Sequence, residues 1–206
     1  MLSHAELARL AGRAYRGPWS GCAACDCEYD LLPRDDEVVV VIPGTSPADA
    51  LDWLRDLRML PRRFPIVGIC HSGFGSGGTA IAENVLRAVK GDPRTMTVVG
   101  HSLGGAMALI VGARLLHAGY RARIVTFGAP RVGFCLNLAL RRRLRRAEQL
   151  FEYRRVGDPV PHVPMRPPFR HITRGIAIGV DCGDPIANHA IGRYAADLVA
   201  LASQAA

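Results

Sequence analysis

Gly100-His101-Ser102-Leu103-Gly104 fits the pattern G-x-S-x-G, and Gly105 follows it. A serine in this pattern is a nucleophile when a strand leads into it and a helix leads out, because the sharp bend holds the hydroxyl clear at the end of a sheet. Here Thr-Met-Thr-Val-Val precedes the motif and Ala-Met-Ala-Leu-Ile-Val-Gly-Ala-Arg-Leu-Leu follows it, which is the required setting. Side chains at the flanking positions would collide in so tight a turn, and Gly100 and Gly104 remove them. The plainer alternative is a glycine-rich turn that only packs a helix on a strand.

A serine hydroxyl attacks well only when a base takes its proton, and that base is usually a histidine. The histidine needs a carboxylate to fix its tautomer and to stabilise the imidazolium. In this setting the chain order is serine, acid, histidine. Asp158 stands in Val-Gly-Asp-Pro-Val-Pro, directly after the expected strand Phe151-Glu-Tyr-Arg-Arg-Val156, at its carboxyl end. Its rivals are Asp181 and Asp184, both late, and Glu148 and Glu152, which lie before or within the strand. Among the histidines after Ser102, His117 falls in the helix that follows the serine, and His162 is too near Asp158 to double back. His171 opens the last expected strand, at its wrong end if that strand is parallel, whereas His189 lies past it and just before the final helix. His189 is the expected base and Asp158 the expected acid; a turn aspartate and a surface histidine are the alternatives.

The tetrahedral intermediate of such a reaction carries a negative oxygen that needs fixed donors. One is expected from the backbone N–H of Leu103, next after the nucleophile, and the second from the loop after an early strand. Val38-Val-Val-Val-Ile-Pro-Gly-Thr-Ser46 supplies that loop, with the N–H of Thr45, and its hydroxyl, as the donors.

These residues need a frame. Residues 3–15 read as an opening helix, with Leu2, Leu7, Leu10 and Ala14 on one face, and residues 17–36 as irregular chain. Apolar strands are expected at 37–42, 65–70, 95–100, 123–128 and 151–156, with a weaker one near 171–180. Helices are expected at 47–59, 79–90, 103–118, about 136–147 and 189–203, with a glycine-rich turn at 71–78. Strands that are apolar throughout and alternate with helices indicate an α/β architecture, a mainly parallel sheet covered on both faces. Ligand chemistry in such sheets sits at the carboxyl ends of the strands.

Length and composition agree with this frame. A chain of 206 residues suits one domain, and 49% hydrophobic residues exclude a disordered chain. The net charge is +8, and Lys90 is the only lysine among 26 basic residues. No nucleic-acid motif accompanies the charge, and aromatic residues are scarce at 6%, so no nucleic-acid partner is expected. The run Arg141-Arg-Arg-Leu-Arg-Arg146 is either a solvated helix face or a surface for transient contact with anionic membrane lipid. Cys22, Cys25 and Cys27 form Cys-Ala-Ala-Cys-Asp-Cys, but no second pair or spaced histidines complete a zinc set, so thiols and no metal are expected. Glu6 and Arg9 interrupt what would be a signal-peptide stretch, and no membrane span is seen, so the expectation is a cytoplasmic chain.

Taken together, several segments resemble the class 3 lipase family, the fungal-lipase-like α/β-hydrolases, over nearly the whole chain. The segments are Leu7–Tyr15, Pro43-Gly-Thr-Ser46 with Asp52–Leu57, Cys70-His-Ser-Gly-Phe74, Val98–Ala106, Thr126-Phe-Gly-Ala-Pro-Arg-Val-Gly133, Arg155–Pro164, Phe169-Arg-His171 and Asn188–Tyr194. Pro43 stands where family members often carry a basic residue, and 46–60 is either a small lid or a helix covering the sheet. The resemblance implies hydrolysis of lipid esters without a cofactor, by Ser102, Asp158 and His189 with Thr45 and Leu103 as the oxyanion hole. An acyltransferase with the same triad, and a hydrolase fold reused for binding, are the competing readings.

Overall fold

The computed structural model describes residues 1–22, 27–44 and 60–204. Its central feature is a seven-stranded sheet in the order β1-β2-β3-β6-β7-β9-β11. The parallel body of that sheet comprises β3 (Glu37–Ile42), β6 (Thr95–His101), β7 (Ala122–Phe127), β9 (Gln149–Arg155) and β11 (Ile176–Ile178). Every residue of β3, β6 and β7 is buried. Alternation explains why their sequences show no polar face. Val38, Val40 and Ile42 of β3 join the core on one side of the sheet, and Val39 and Val41 the core on the other. Each such side chain contributes about 1.5–3 kcal/mol when fully removed from water.

On one side lie α2 (Ser72–Ala88), α3 (Leu103–His117) and α4 (Leu138–Leu144); on the other lie α1 (His4–Arg13) and α6 (Ile191–Gln204). Ser3 and Glu6 form a reciprocal capping box at the start of α1. α3 is buried on nearly all sides, as its unbroken apolar sequence requires, because it packs on the sheet and against α2 and α4.

Three expectations need correction. Residues 17–36 are not wholly irregular: β1 (Gly21–Cys22) and β2 (Glu28–Pro33) add an antiparallel edge, with Leu31 opposite Val40. β2, half-buried and carrying charge, has none of the apolar density of β3. The run 65–70 does not form a strand of the parallel sheet. Residues 65–67 turn, with Ile66 at φ 73°, and only β5 (Gly68–His71) is extended. β5 belongs to a second, four-stranded antiparallel sheet with β4 (Pro61–Phe64), β8 (Gly133–Phe134) and β10 (Phe169–Arg170). Its apolar residues Val67 and Cys70 do reach the core, so the pattern reported burial correctly and the partner strand wrongly. Finally, 71–78 is not a turn, because α2 begins at Ser72. A Cβ on Gly78 would lie 2.6 Å from Cβ of Ile110 in α3, so the missing side chain lets the two helices approach. That packing outweighs the roughly 1 kcal/mol cost of a helical glycine. The expected helix at 47–59 lies outside the described residues, as does all but Leu60 of the segment considered as a lid.

Candidate active site

β6 ends at His101, and α3 starts at Leu103, leaving Ser102 alone at the bend with φ 55° and ψ −129°. Positive φ costs a non-glycine residue about 1–3 kcal/mol and persists only where its surroundings enforce it. Here the Ser102 N–H donates to the Phe127 carbonyl at 2.9 Å, and the Ser102 carbonyl accepts from Gly105 N–H at 2.9 Å. A Cβ on Gly100 would overlap the Gly104 carbonyl, and one on Gly104 would overlap the carbonyls of Ile42 and Pro43. Both glycines are therefore required by close approach, as their positions in the motif predict. Leu103 is the first residue of α3, so its N–H has no acceptor within the helix. Gly44 packs against this bend: a Cβ there would lie 2.8 Å from Cβ of Ser102. Thr45, the residue after it and the expected second oxyanion donor, lies outside the described residues.

Asp158 follows β9 by three residues and is fully buried. Its carboxylate accepts from Nδ1 of His189 at 2.9 and 3.0 Å, from the Tyr194 hydroxyl at 2.5 Å and from the Val160 N–H at 2.9 Å. His189 ends the one-turn helix α5 (Pro185–His189), rather than sitting in open loop. Nε2 of His189 is buried and makes no hydrogen bond among the described residues. With Nδ1–H committed to the carboxylate, Nε2 carries the lone pair and is an available acceptor.

Ser102 and His189 are both nearly inaccessible, at 1% and 5% exposure, and His101, the last residue of β6, links the bend to His189. The His101 ring stacks on the His189 ring with centroids 4.6 Å apart. Nε2 of His101 lies 2.8 Å from the His189 carbonyl and therefore donates to it. Nδ1 of His101 then accepts from the Tyr15 hydroxyl at 2.6 Å. Burial, followed by the neighbouring His189, pushes the His101 pKa well below the ordinary histidine value, so it is neutral. Burial likewise raises the Tyr15 and Tyr194 hydroxyls, and the adjacent Asp158 charge raises Tyr194 further; both remain donors. Gly128, at φ 57°, closes the group, since a Cβ on it would lie 2.9 Å from Asp158, 3.0 Å from the Tyr194 hydroxyl and 3.1 Å from the His189 ring.

The rejected candidates have other partners. Glu148 pairs with Arg121 at 2.5 Å, and Asp184 caps α5. Asp181 accepts from Asn188 at 2.6 Å. Glu152 is buried and accepts from Thr173 N–H at 2.7 Å. His171 precedes β11 by five residues instead of opening it, and its Nε2 bonds the Pro161 carbonyl at 2.7 Å. Cys182 carries a thiol that donates to Asn188, and Cys25 lies outside the described residues.

Residue typing missed Tyr15, His101, Tyr194 and Gly128. Tyr15 and Tyr194 read as ordinary aromatic residues of helices, and only their bonds in space, Tyr15 to His101 and Tyr194 to Asp158, give them meaning. His101 occupies the free position of G-x-S-x-G, where the pattern asks for nothing.

A mainly parallel sheet sandwiched by helices, with a strained serine between strand and helix at its carboxyl edge, defines an α/β-hydrolase fold. The chain belongs to the class 3 lipase family: the family profile described as Lipase (class 3) matches residues 39–167. A Caenorhabditis elegans lipase is 45% identical over 155 residues, covering 69% of this chain and 41% of that protein. A secreted mono- and diacylglycerol lipase of Fusarium solani is 30% identical over 139 residues, covering 62% of this chain and 39% of the relative. The chain thus spans well under half the length of these curated relatives. Among solved structures, a Rhizomucor miehei lipase–propeptide complex superposes with a TM-score of 0.68 at 21% identity, covering 86% of this chain and 67% of that one. The mono- and diacylglycerol lipase of Aspergillus oryzae gives 0.65 at 17% identity, covering 88% and 82%. The expectation of a cytoplasmic chain gains no support, since relatives are named as secreted. Among the described residues no helix is long and apolar enough to cross a membrane.

Proposed function

We propose that this chain is a serine carboxylester hydrolase acting on lipid or lipid-like esters, through an acyl-enzyme on Ser102. The observation that carries the reading is the buried His189–Asp158 pair, with a free Nε2, stacked beside the residue that leads into a strained serine. In this reading Ser102 Oγ attacks the ester carbonyl while its proton passes to His189 Nε2. Asp158 holds Nδ1–H and stabilises the imidazolium that results. The oxyanion is received by the Leu103 N–H and by Thr45, and losing one such donor typically costs ~100- to 1000-fold in turnover. Collapse expels the alcohol with the proton from His189. Water, deprotonated by the same Nε2, then releases the acid and restores the serine. No metal or cofactor enters these steps. The whole chain is read as one catalytic domain.

The names of the relatives support a lipid ester as substrate. Exposed Arg142, Arg145 and Arg146 beside α4 support a transient contact with anionic lipid, which is tested by the salt dependence of liposome association. The central test is turnover of p-nitrophenyl esters of increasing chain length, below and above their solubility limits. Hydrolysis by the wild-type chain, lost in Ser102→Ala, supports the proposal; equal rates in both would overturn it.

A further inference from the structure

Away from the site above, the described residues line a polar cavity of about 470 Å3, among them Arg131, Arg141, Arg154, Arg166, Arg170 and Arg174 and no carboxylate. Six guanidinium groups converging on one hollow is an unstable arrangement unless something negative offsets it. Three of them are tied to the walls. Arg131 bonds the carbonyls of His162 and Pro164, Arg141 that of His171, and Arg154 those of Thr173 and Arg174. The guanidinium groups of the other three, Arg166, Arg170 and Arg174, make no hydrogen bond or ion pair among the described residues. Of the six, only Arg154 has a carboxylate within reach among the described residues, Glu152 at 3.7 Å, and that acid already accepts from Thr173 N–H and lies 3.7 Å from Nδ1 of His171. Nε of Arg154 is buried with no hydrogen-bond partner among the described residues. Burial, and then the charges of Arg166 and Arg154, pull the Arg131 pKa down, as expected for a cation crowded by cations.

Three cations anchored to the walls and three uncommitted ones at the open side, of which Arg166 and Arg174 are exposed and Arg170 is half-buried, form a cradle open to solvent. Guanidinium forks match the oxygens of phosphate in geometry and in charge. The volume lies in the range of small-molecule sites and exceeds what a single phosphate needs. We propose that this cavity is a binding site for a multiply charged phosphate group, carried by a lipid head group or by a free phosphorylated small molecule. Its lining contains none of Ser102, Asp158 and His189, so the proposal does not depend on the reading of those residues.

The test is calorimetric titration of the full chain with inorganic pyrophosphate at fixed ionic strength. Arg166→Gln and Arg170→Gln are compared with Arg9→Gln on α1, which preserves the change in net charge at a remote position. Because neither cavity side chain bonds the fold, both variants are expected to unfold at the wild-type temperature. Saturable binding that weakens at least about tenfold in Arg166→Gln and Arg170→Gln, and little in Arg9→Gln, supports the site. No binding, or equal weakening in all three, overturns it. A parallel arm uses vesicles of phosphatidylcholine with and without phosphatidic acid. Acid-dependent binding that pyrophosphate displaces identifies a head group as the ligand, and pyrophosphate binding without vesicle binding identifies a free one.

Discussion

The imidazoles of His101 and His189 lie 4.6 Å apart and 30° from parallel, and the first donates to the main-chain carbonyl of the second at 2.8 Å. The residue before Ser102 thereby holds the residue that would activate it. Positioning of this kind matters because displacement by about 1 Å can cost roughly 100-fold in rate. His101→Phe keeps a stacking ring but removes both hydrogen bonds. Its kcat is expected to fall about 10- to 100-fold with KM little changed, measured on a soluble ester. His101→Gln, which retains a donor for the His189 carbonyl, should recover part of the loss.

Tyr194 ties the acid to the sheet. Its hydroxyl donates to Asp158 at 2.5 Å and accepts from the Arg155 N–H at 3.0 Å. Tyr194→Phe leaves a buried N–H and one carboxylate lone pair without partners, which costs about 1–3 kcal/mol. Urea denaturation should show that loss, and kcat should fall as Asp158 gains freedom.

Gly128 tests how tightly the site is enclosed. Alanine there must hold φ near 57° and place its methyl about 3 Å from Asp158, Tyr194 and His189. A left-handed conformation alone costs about 1–2 kcal/mol. Gly128→Ala is expected to lower the unfolding midpoint and to remove most activity, because the three groups cannot yield without breaking the Asp158 bonds.

Stability should depend on pH through two histidines that do not themselves carry the reaction's proton, His4 on α1 and His101 beside His189. Burial, and then Arg123, pulls the His4 pKa down to about 4, and burial with His189 pulls His101 well below its ordinary value. Both pKa values are lower in the folded chain than in the unfolded one. Below the ordinary histidine pKa of about 6.5 the unfolded state therefore binds more protons. Stability is expected to fall as pH drops from about 6.5 towards 4, measured as urea midpoints across that range. His4→Gln should make the dependence shallower.

Much of this was legible in the chain itself. Ser102, Asp158 and His189 could be chosen because strand ends, chain order and residue type converge on them, and the structure brings Asp158 and His189 together. Strands buried on both faces, as in Glu37–Ile42, announce themselves by composition. β2 does not, since it is only half-buried and lies within the Gly-, Pro-, Cys- and Asp-rich stretch 17–36, which reads as irregular chain. Nor does an apolar run declare its partner: Val67 and Cys70 are core residues on a different sheet from the one expected. The glycines of α2 read as a turn because propensity is local, whereas their reason, the approach of α3, lies some 30 residues away in the chain. The supporting residues Tyr15 and Tyr194 were illegible for the same cause. Their partners are fixed by the fold and by nothing near them in sequence.

The most direct measurement is labelling by an alkyl fluorophosphonate followed by peptide mass spectrometry. The account predicts one adduct, on the peptide containing Ser102, absent in Ser102→Ala and formed far more slowly in His189→Ala and Asp158→Asn. An adduct on another residue, or labelling of Ser102 at an undiminished rate in His189→Ala, would contradict it.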